Sequence, residues 1–165
     1  MKQLVLIALL FSSTSAFAAR SNAGGDNTAR AILGFSQSAF ALGADYEKHL
    51  DGSLGVGGYF LYSSEKKDNA AKNQTISFGG MAPAHFFDDS HWDLFLAPGF
   101  GITMVKGIGG ASDETAIGPS IKTGLQYKIS PTMKLGLEHF YASNWFNDKV
   151  LPFLIYTNAS LAFQF

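Results

Sequence analysis

Cysteine is absent from all 165 residues. No disulfide can staple the fold, so the chain must draw its stability from hydrogen bonding and burial. Charge is sparse as well, at 15% of residues, with 12 basic and 13 acidic side chains and a formal net charge of −1. That balance gives no basis for nucleic-acid binding. Beyond the first 18 residues no apolar run approaches the length of a spanning helix, so any membrane residence has to be through strands.

Motifs of familiar chemistry are missing too. No zinc-binding or phosphate-loop pattern occurs, and His49, His85, His91 and His139 are too dispersed to form a ligand set by spacing. Gly55-Val56-Gly57-Gly58 and Gly107-Ile108-Gly109-Gly110 are glycine-rich, but neither opens a helix, which argues against a phosphate cradle. No cofactor and no metal are expected.

Present instead are 18 glycines and 15 phenylalanines. Glycine eases the curvature of a small barrel, and phenylalanine suits a lipid-facing wall. Met1 to Ala18 has the layout of a secretory signal peptide: Lys2, an apolar core from Leu4 to Phe11, and Ala16-Phe17-Ala18 as a cleavage site. Residues 19–28 are expected to be a flexible leader, and residues 29–165 the folded domain.

The C-terminal stretch Phe153 to Phe165 alternates without a break. Phe153, Ile155, Thr157, Ala159, Leu161, Phe163 and Phe165 share one parity; Leu154, Tyr156, Asn158, Ser160, Ala162 and Gln164 share the other. This is a strand period of two. An exposed edge of this kind invites pairing with other chains, whereas a closed membrane barrel pairs both edges and gives each face its own medium. Seven further segments alternate similarly: Ala29 to Ser36, Ala39 to Lys48, Ser53 to Ser63, Asn73 to Phe86, Trp92 to Val105, Thr115 to Ile129 and Met133 to Ser143. The fold class expected is therefore all-β, an eight-stranded antiparallel up-and-down transmembrane β-barrel. His49 to Gly52, Asp88 to His91 and Ser130 to Thr132 read as tight turns. Ser64 to Lys72, Lys106 to Glu114 and Asn144 to Lys149 read as longer loops at the opposite end, with a very short loop near Gln37 and Ser38. Pro83, Pro98, Pro119 and Pro152 fall inside proposed strands and call for irregularities there. A soluble lipocalin-like barrel is the alternative, with the apolar side inward.

The charges decide between the two. Opposite the apolar parity lie Arg30, Asp45, Glu47, Asp93, Lys122, Gln126, Lys128, Lys134, Glu138 and Gln164. Sealed in a narrow lumen they have to pair. Lys122 with Glu138, and Arg30 with Asp45 or Glu47, are the expected pairs of a luminal charge network. Tyr59, Met81, Phe95 and Tyr156 would help to fill that lumen, so a polar plug is favoured over an open pore. Tyr46, Trp92, Phe86 and Tyr127 near the short turns, and Tyr62, Tyr141, Trp145 and Phe146 near the long loops, are expected to form two aromatic belts at the lipid interfaces.

With its aromatic last residue, its alternating terminal strand and segments such as Leu96-Ala97-Pro98-Gly99-Phe100-Gly101, the chain resembles the small bacterial outer-membrane β-barrel family of OmpA-like, OmpX-like and NspA-like barrels. The resemblance implies residence in the bacterial outer membrane after export through a cleaved signal peptide. It also implies contact with outer-membrane lipid and lipopolysaccharide, and recognition of a terminal assembly signal (Leu161, Phe163, Phe165) by the barrel-assembly machinery. It assigns no catalysis, because this fold hosts several roles. One stretch, His139 to Asn144, is similar in flavour to the His and Ser of eight-stranded lipid A deacylases. Tyr141 stands where that pattern has serine, Ser143 lies about 13 Å along the strand from His139, and Glu138 faces inward. The reading is thus a non-enzymatic barrel, structural or lipid- and surface-interacting, with a lipid A-modifying hydrolase and a narrow, porin-like pore as alternatives.

Overall fold

Every named element of the computed structural model is a strand, and each follows the alternation of its own sequence. The structure describes residues 26–35, 39–51, 53–66, 72–87, 91–106, 113–147, 150 and 153–165. The strands are β1 (Asn27–Phe35), β2 (Ala39–Asp51), β3 (Leu54–Lys66), β4 (Lys72–Met81), β5 (Ala84–Phe86), β6 (Trp92–Lys106), β7 (Glu114–Ser130), β8 (Met133–Ser143) and β9 (Phe153–Gln164). All pairings are antiparallel.

The sheet closes on itself. β1 pairs with β2 on one side and with β9 on the other, from Thr28 opposite Gln164 to Phe35 opposite Thr157. Closure is fastened at its end by two backbone bonds, Asn27 N to Phe165 O at 3.0 Å and Phe165 N to Asn27 O at 2.9 Å. β4 and β5 are two pieces of one wall position, since both pair with β3 and with β6. The nine segments therefore make an eight-stranded barrel. Among the described residues closure leaves no strand with an unpaired edge, as a bilayer demands.

The prolines sit where the ladder can spare a donor. Pro83 separates β4 from β5. Pro98 faces the same interruption, between the pairs Met81–Gly99 and Ala84–Leu96, and its carbonyl accepts from Ala82 N at 2.9 Å. Pro119 lies just past the last β7–β8 pair, Ser120 with Ala142. Absence of the N–H costs least at such breaks. Pro152 lies outside the described residues.

Two boundaries differ from the sequence expectation. The turn expected at His49 to Gly52 is largely strand: β2 runs on to Asp51, with a bulge between His49 and Asp51, because His49 N donates to Asp26 O at 2.8 Å. The folded part starts before residue 29, because Asn27 and Thr28 already pair with β2 and β9 and the Thr28 side chain is buried. The signal-peptide segment, most of the leader, the short loop near Gln37 and Ser38, and the middles of the loops after β3 and β6 lie outside the described residues.

Apolar side chains line the outside. Leu42, Phe60, Phe78, Phe100, Ile121, Leu125, Leu137, Ile155 and Phe163 are all exposed on the outer wall. Buried positions hold Arg30, Asp45, Glu47, Asp93, Lys122, Gln126, Lys134 and Glu138. This inverts the soluble arrangement, and it is the pattern of a barrel whose solvent is lipid. Inside, the filling is layered. Toward the long loops lies an apolar cluster of Ile32, Ala41, Leu61, Phe140, Ala142, Leu154 and Tyr156. Toward the short turns and the two paired strand ends lies the ionic layer.

Candidate functional site: a charge chain across the lumen

Alternation places one side chain in two inside the barrel, so charges from opposite walls are forced to meet. Arg30 on β1 is the hub. Its Nη1 donates to Asp45 Oδ1 at 2.7 Å and its Nη2 to Glu47 Oε2 at 2.5 Å. It takes both Asp45 and Glu47, where the sequence left a choice of either. Lys122 on β7 pairs with Asp45 Oδ2 and, at 2.6 Å, with Glu138 Oε2 on β8. Glu138 Oε1 accepts from Gln126 Nε2 at 3.2 Å.

On the other side of Glu47 the chain continues through a histidine. His85 on β5 sets Nε2 2.8 Å from Glu47 Oε1 and Nδ1 2.8 Å from Asp93 Oδ1 on β6. Lys134 on β8 closes the series at 2.6 Å from Asp93 Oδ2. The order is Lys134, Asp93, His85, Glu47, Arg30, Asp45, Lys122, Glu138, alternating in sign throughout. Among the described residues, three buried Lys and Arg side chains face four buried carboxylates, one positive charge short. Both ring nitrogens of His85 lie on carboxylate oxygens, so an imidazolium there would make up that charge. Buried ions are costly unless paired and hydrogen-bonded, and this series pairs each one.

Phe95 fills the centre. The Arg30 guanidinium carbon lies 5.0 Å and Lys122 Nζ 5.6 Å from its ring centroid, within cation–π range. Opposing glycines make room for these groups. A Cβ at Gly124 would stand 2.7 Å from Phe95 Cε1 and 2.9 Å from Glu138 Cγ, and one at Gly55 would run into the Glu47 carboxylate.

The aromatic residues singled out in the sequence are on the outer side of the wall. Tyr46, Trp92, Tyr127 and Trp145 are exposed, while Tyr62 and Tyr141 are half-buried. Tyr46 donates to Asn27 Oδ1 at 2.6 Å. Trp92 packs edge-on to Tyr127 at 5.0 Å between centroids, and Tyr141 stacks on Phe153 at 5.5 Å. Phe163 and Phe165 are exposed, and Leu161 is half-buried. His139 also faces outward, with Nδ1 3.2 Å from Thr157 Oγ1 on β9. Ser143 pairs with Phe153 at the far end of β8.

Sequence reasoning did not name His85, His49 or Thr28 as site residues. His49 Nε2 lies 2.9 Å from Thr28 Oγ1, and its Nδ1 lies 3.6 Å from Glu47 Oε1. The signal was available in part: Glu47 and His49 share a parity, and His85 sits between outward Ala84 and Phe86.

The family model for the outer membrane protein β-barrel domain matches residues 4–163. Among solved structures, the chain is similar to Neisserial surface protein A (NspA), at 18% identity and a TM-score of 0.66, covering 84% of this chain and 94% of that one. It is similar to the N-terminal β-barrel domain of Pseudomonas aeruginosa OprF, at 12% identity and a TM-score of 0.62, covering 86% and 99%. The outer membrane enzyme PagL matches at 16% identity and a TM-score of 0.58, covering 84% and 99%. No curated protein sequence matches the chain.

Proposed function

The chain belongs to the outer-membrane β-barrel family and resides in the bacterial outer membrane, and from that premise we propose that it works as a sealed, non-enzymatic barrel through its lipid-facing wall and its surface loops. The observation that carries this reading is the unbroken ionic series from Lys134 to Glu138, folded around the buried Phe95 ring. An ion crossing the lumen would have to break several charge-assisted bonds that have no replacement inside the barrel. The apolar layer from Ile32 to Tyr156 stands above it as a second barrier.

In this reading Met1 to Ala18 directs export, and Leu161, Phe163 and Phe165 present the terminal signal to the barrel-assembly machinery. The exposed aromatics Tyr46, Trp92, Tyr127 and Trp145 anchor the wall at the headgroup level. The partners are outer-membrane lipid and lipopolysaccharide. Reconstitution into planar bilayers tests the sealed lumen. The expected record is flat, and steady unitary openings would overturn it.

A second reading, a lipid A-modifying hydrolase, has one observation in its favour: a His139–Thr157 pair on the lipid-facing wall. No carboxylate among the described residues orients His139, since Glu138 is committed to Lys122 and Gln126 inside. Acyl release from lipid A by the wild type, lost in His139→Asn, would establish it. No release is expected.

A further inference from the structure

We propose that Glu47, His49 and His85 form a binding site for a divalent transition-metal ion of the zinc class, at the short-turn end of the lumen. Glu47 and His49 lie two residues apart on one face of β2, and His85 reaches them from β5. One ligand atom from each, a carboxylate oxygen and two imidazole nitrogens, all fall within 4.8 Å of one another. Glu47 Oε1 is 2.8 Å from His85 Nε2 and 3.6 Å from His49 Nδ1, and the two rings are 5.3 Å apart. Tetrahedral zinc with bonds of about 2.0–2.1 Å sets its ligand atoms ~3.3 Å apart. Shifts of about an ångström or less in side chains would centre an ion among the three.

The second ligating group of each residue is already held. Asp93 Oδ1 takes the Nδ1 side of His85, Thr28 Oγ1 the Nε2 side of His49, and Arg30 Nη2 the other oxygen of Glu47. Partners of this kind fix the ring orientation and raise ligand basicity at a metal. The independent sign of a ligand is His49 Nδ1. Its side chain is only 4% exposed, and among the described residues that nitrogen has no hydrogen-bond partner while facing a carboxylate oxygen. An orphaned nitrogen in such a place is costly unless something binds it.

Binding replaces the proton that His85 Nε2 shares with Glu47 Oε1. The ion enters, one proton leaves His85, and no electron moves. The exchange adds one positive charge, which an anion taken from solution in the open fourth position can offset. His49 lies two residues from the end of β2, at the short-turn end of the lumen.

The test is calorimetric titration of the untagged, folded barrel in detergent with Zn2+ at neutral pH, after chelation and dialysis. One saturable site per chain is expected, with a buffer-dependent heat that reports about one proton released. Co2+ in its place should give the visible bands of a four-coordinate centre. His49→Gln is the decisive variant, because the one hydrogen bond of the His49 side chain among the described residues is to Thr28 and His49 lies outside the ionic series. It should weaken binding about 100-fold or more while the heat-modifiable gel shift of the folded barrel persists, and Asp93→Asn should weaken it about 10- to 100-fold. His91→Gln and His139→Gln should bind as the wild type does. Absence of a saturable site, or a His49→Gln protein that binds unchanged, would overturn the proposal.

Discussion

Arg30 lies against the ring of Phe95, its guanidinium carbon 5.0 Å from the ring centroid, at a point in the lumen where neither side chain meets solvent. Phe95→Ala removes the ring from a packed interior and leaves two cations facing a void. The expected loss is about 3–5 kcal/mol for the cavity, with roughly 2 kcal/mol more from the cation–π contacts. Phe95→Leu should cost less, since it refills most of the volume. Urea unfolding in lipid vesicles, followed by tryptophan emission, measures both.

Arg30 and Glu47 should be strongly coupled. Arg30→Gln leaves Asp45 and Glu47 short of their shared cation, and about 3–5 kcal/mol of stability should be lost. Glu47→Gln added to it should restore part of that loss. A double-mutant cycle should give a coupling of about 1–3 kcal/mol. Additive single effects would contradict the hub role of Arg30.

The glycines divide by what a methyl group would meet. At Gly124 it would press on Phe95 and Glu138 inside the lumen, at 2.7 and 2.9 Å. Gly124→Ala should cost about 1–3 kcal/mol through overpacking. At Gly80, on the outer side, the nearest atom is Gly57 O at 3.8 Å. Gly80→Ala should be neutral or slightly stabilising, by up to about 1 kcal/mol. Equilibrium unfolding of the two variants side by side separates the cases.

These contrasts show what alternation can and cannot disclose. It carried the wall, because each strand has lipid on one face and lumen on the other, and a one-residue slip would exchange them. Contacts between neighbouring strands were within its reach. Arg30 stands opposite Asp45, and Lys122 and Glu138 lie on adjacent strands. Contacts across the lumen were not, since nothing local links His85 to Glu47 or Lys134 to Asp93. His49 was concealed by the Asp51-Gly52 turn signal that follows it, and His85 by Pro83, which makes the surrounding strand look broken. Thr28 was read as leader because a small polar residue near a terminus looks the same whether it is loose or buried.

The outer wall should show a depth dependence. Leu137 is 67% exposed near the middle of β8, while Ile129 lies beside the turn after β7. Leu137→Arg puts a charge in the hydrocarbon midplane and should cost about 2–4 kcal/mol, against about 0–1 kcal/mol for Ile129→Arg near the interface. Folding equilibria in vesicles report the difference, and equal costs would argue against a bilayer around this wall.

The inside-out assignment can be read most directly along β8. The chain has no cysteine, so single-cysteine variants from Lys134 to Ala142 each carry one spin label and nothing else. In vesicles, collision with oxygen dissolved in the bilayer should rise and fall with a period of two. Labels at positions 135, 137, 139 and 141 should be reached, and labels at 134, 136, 138, 140 and 142 should be shielded. Labels at 134 and 138 that meet the lipid as readily as one at 137, or a profile without alternation, would contradict the sealed ionic interior.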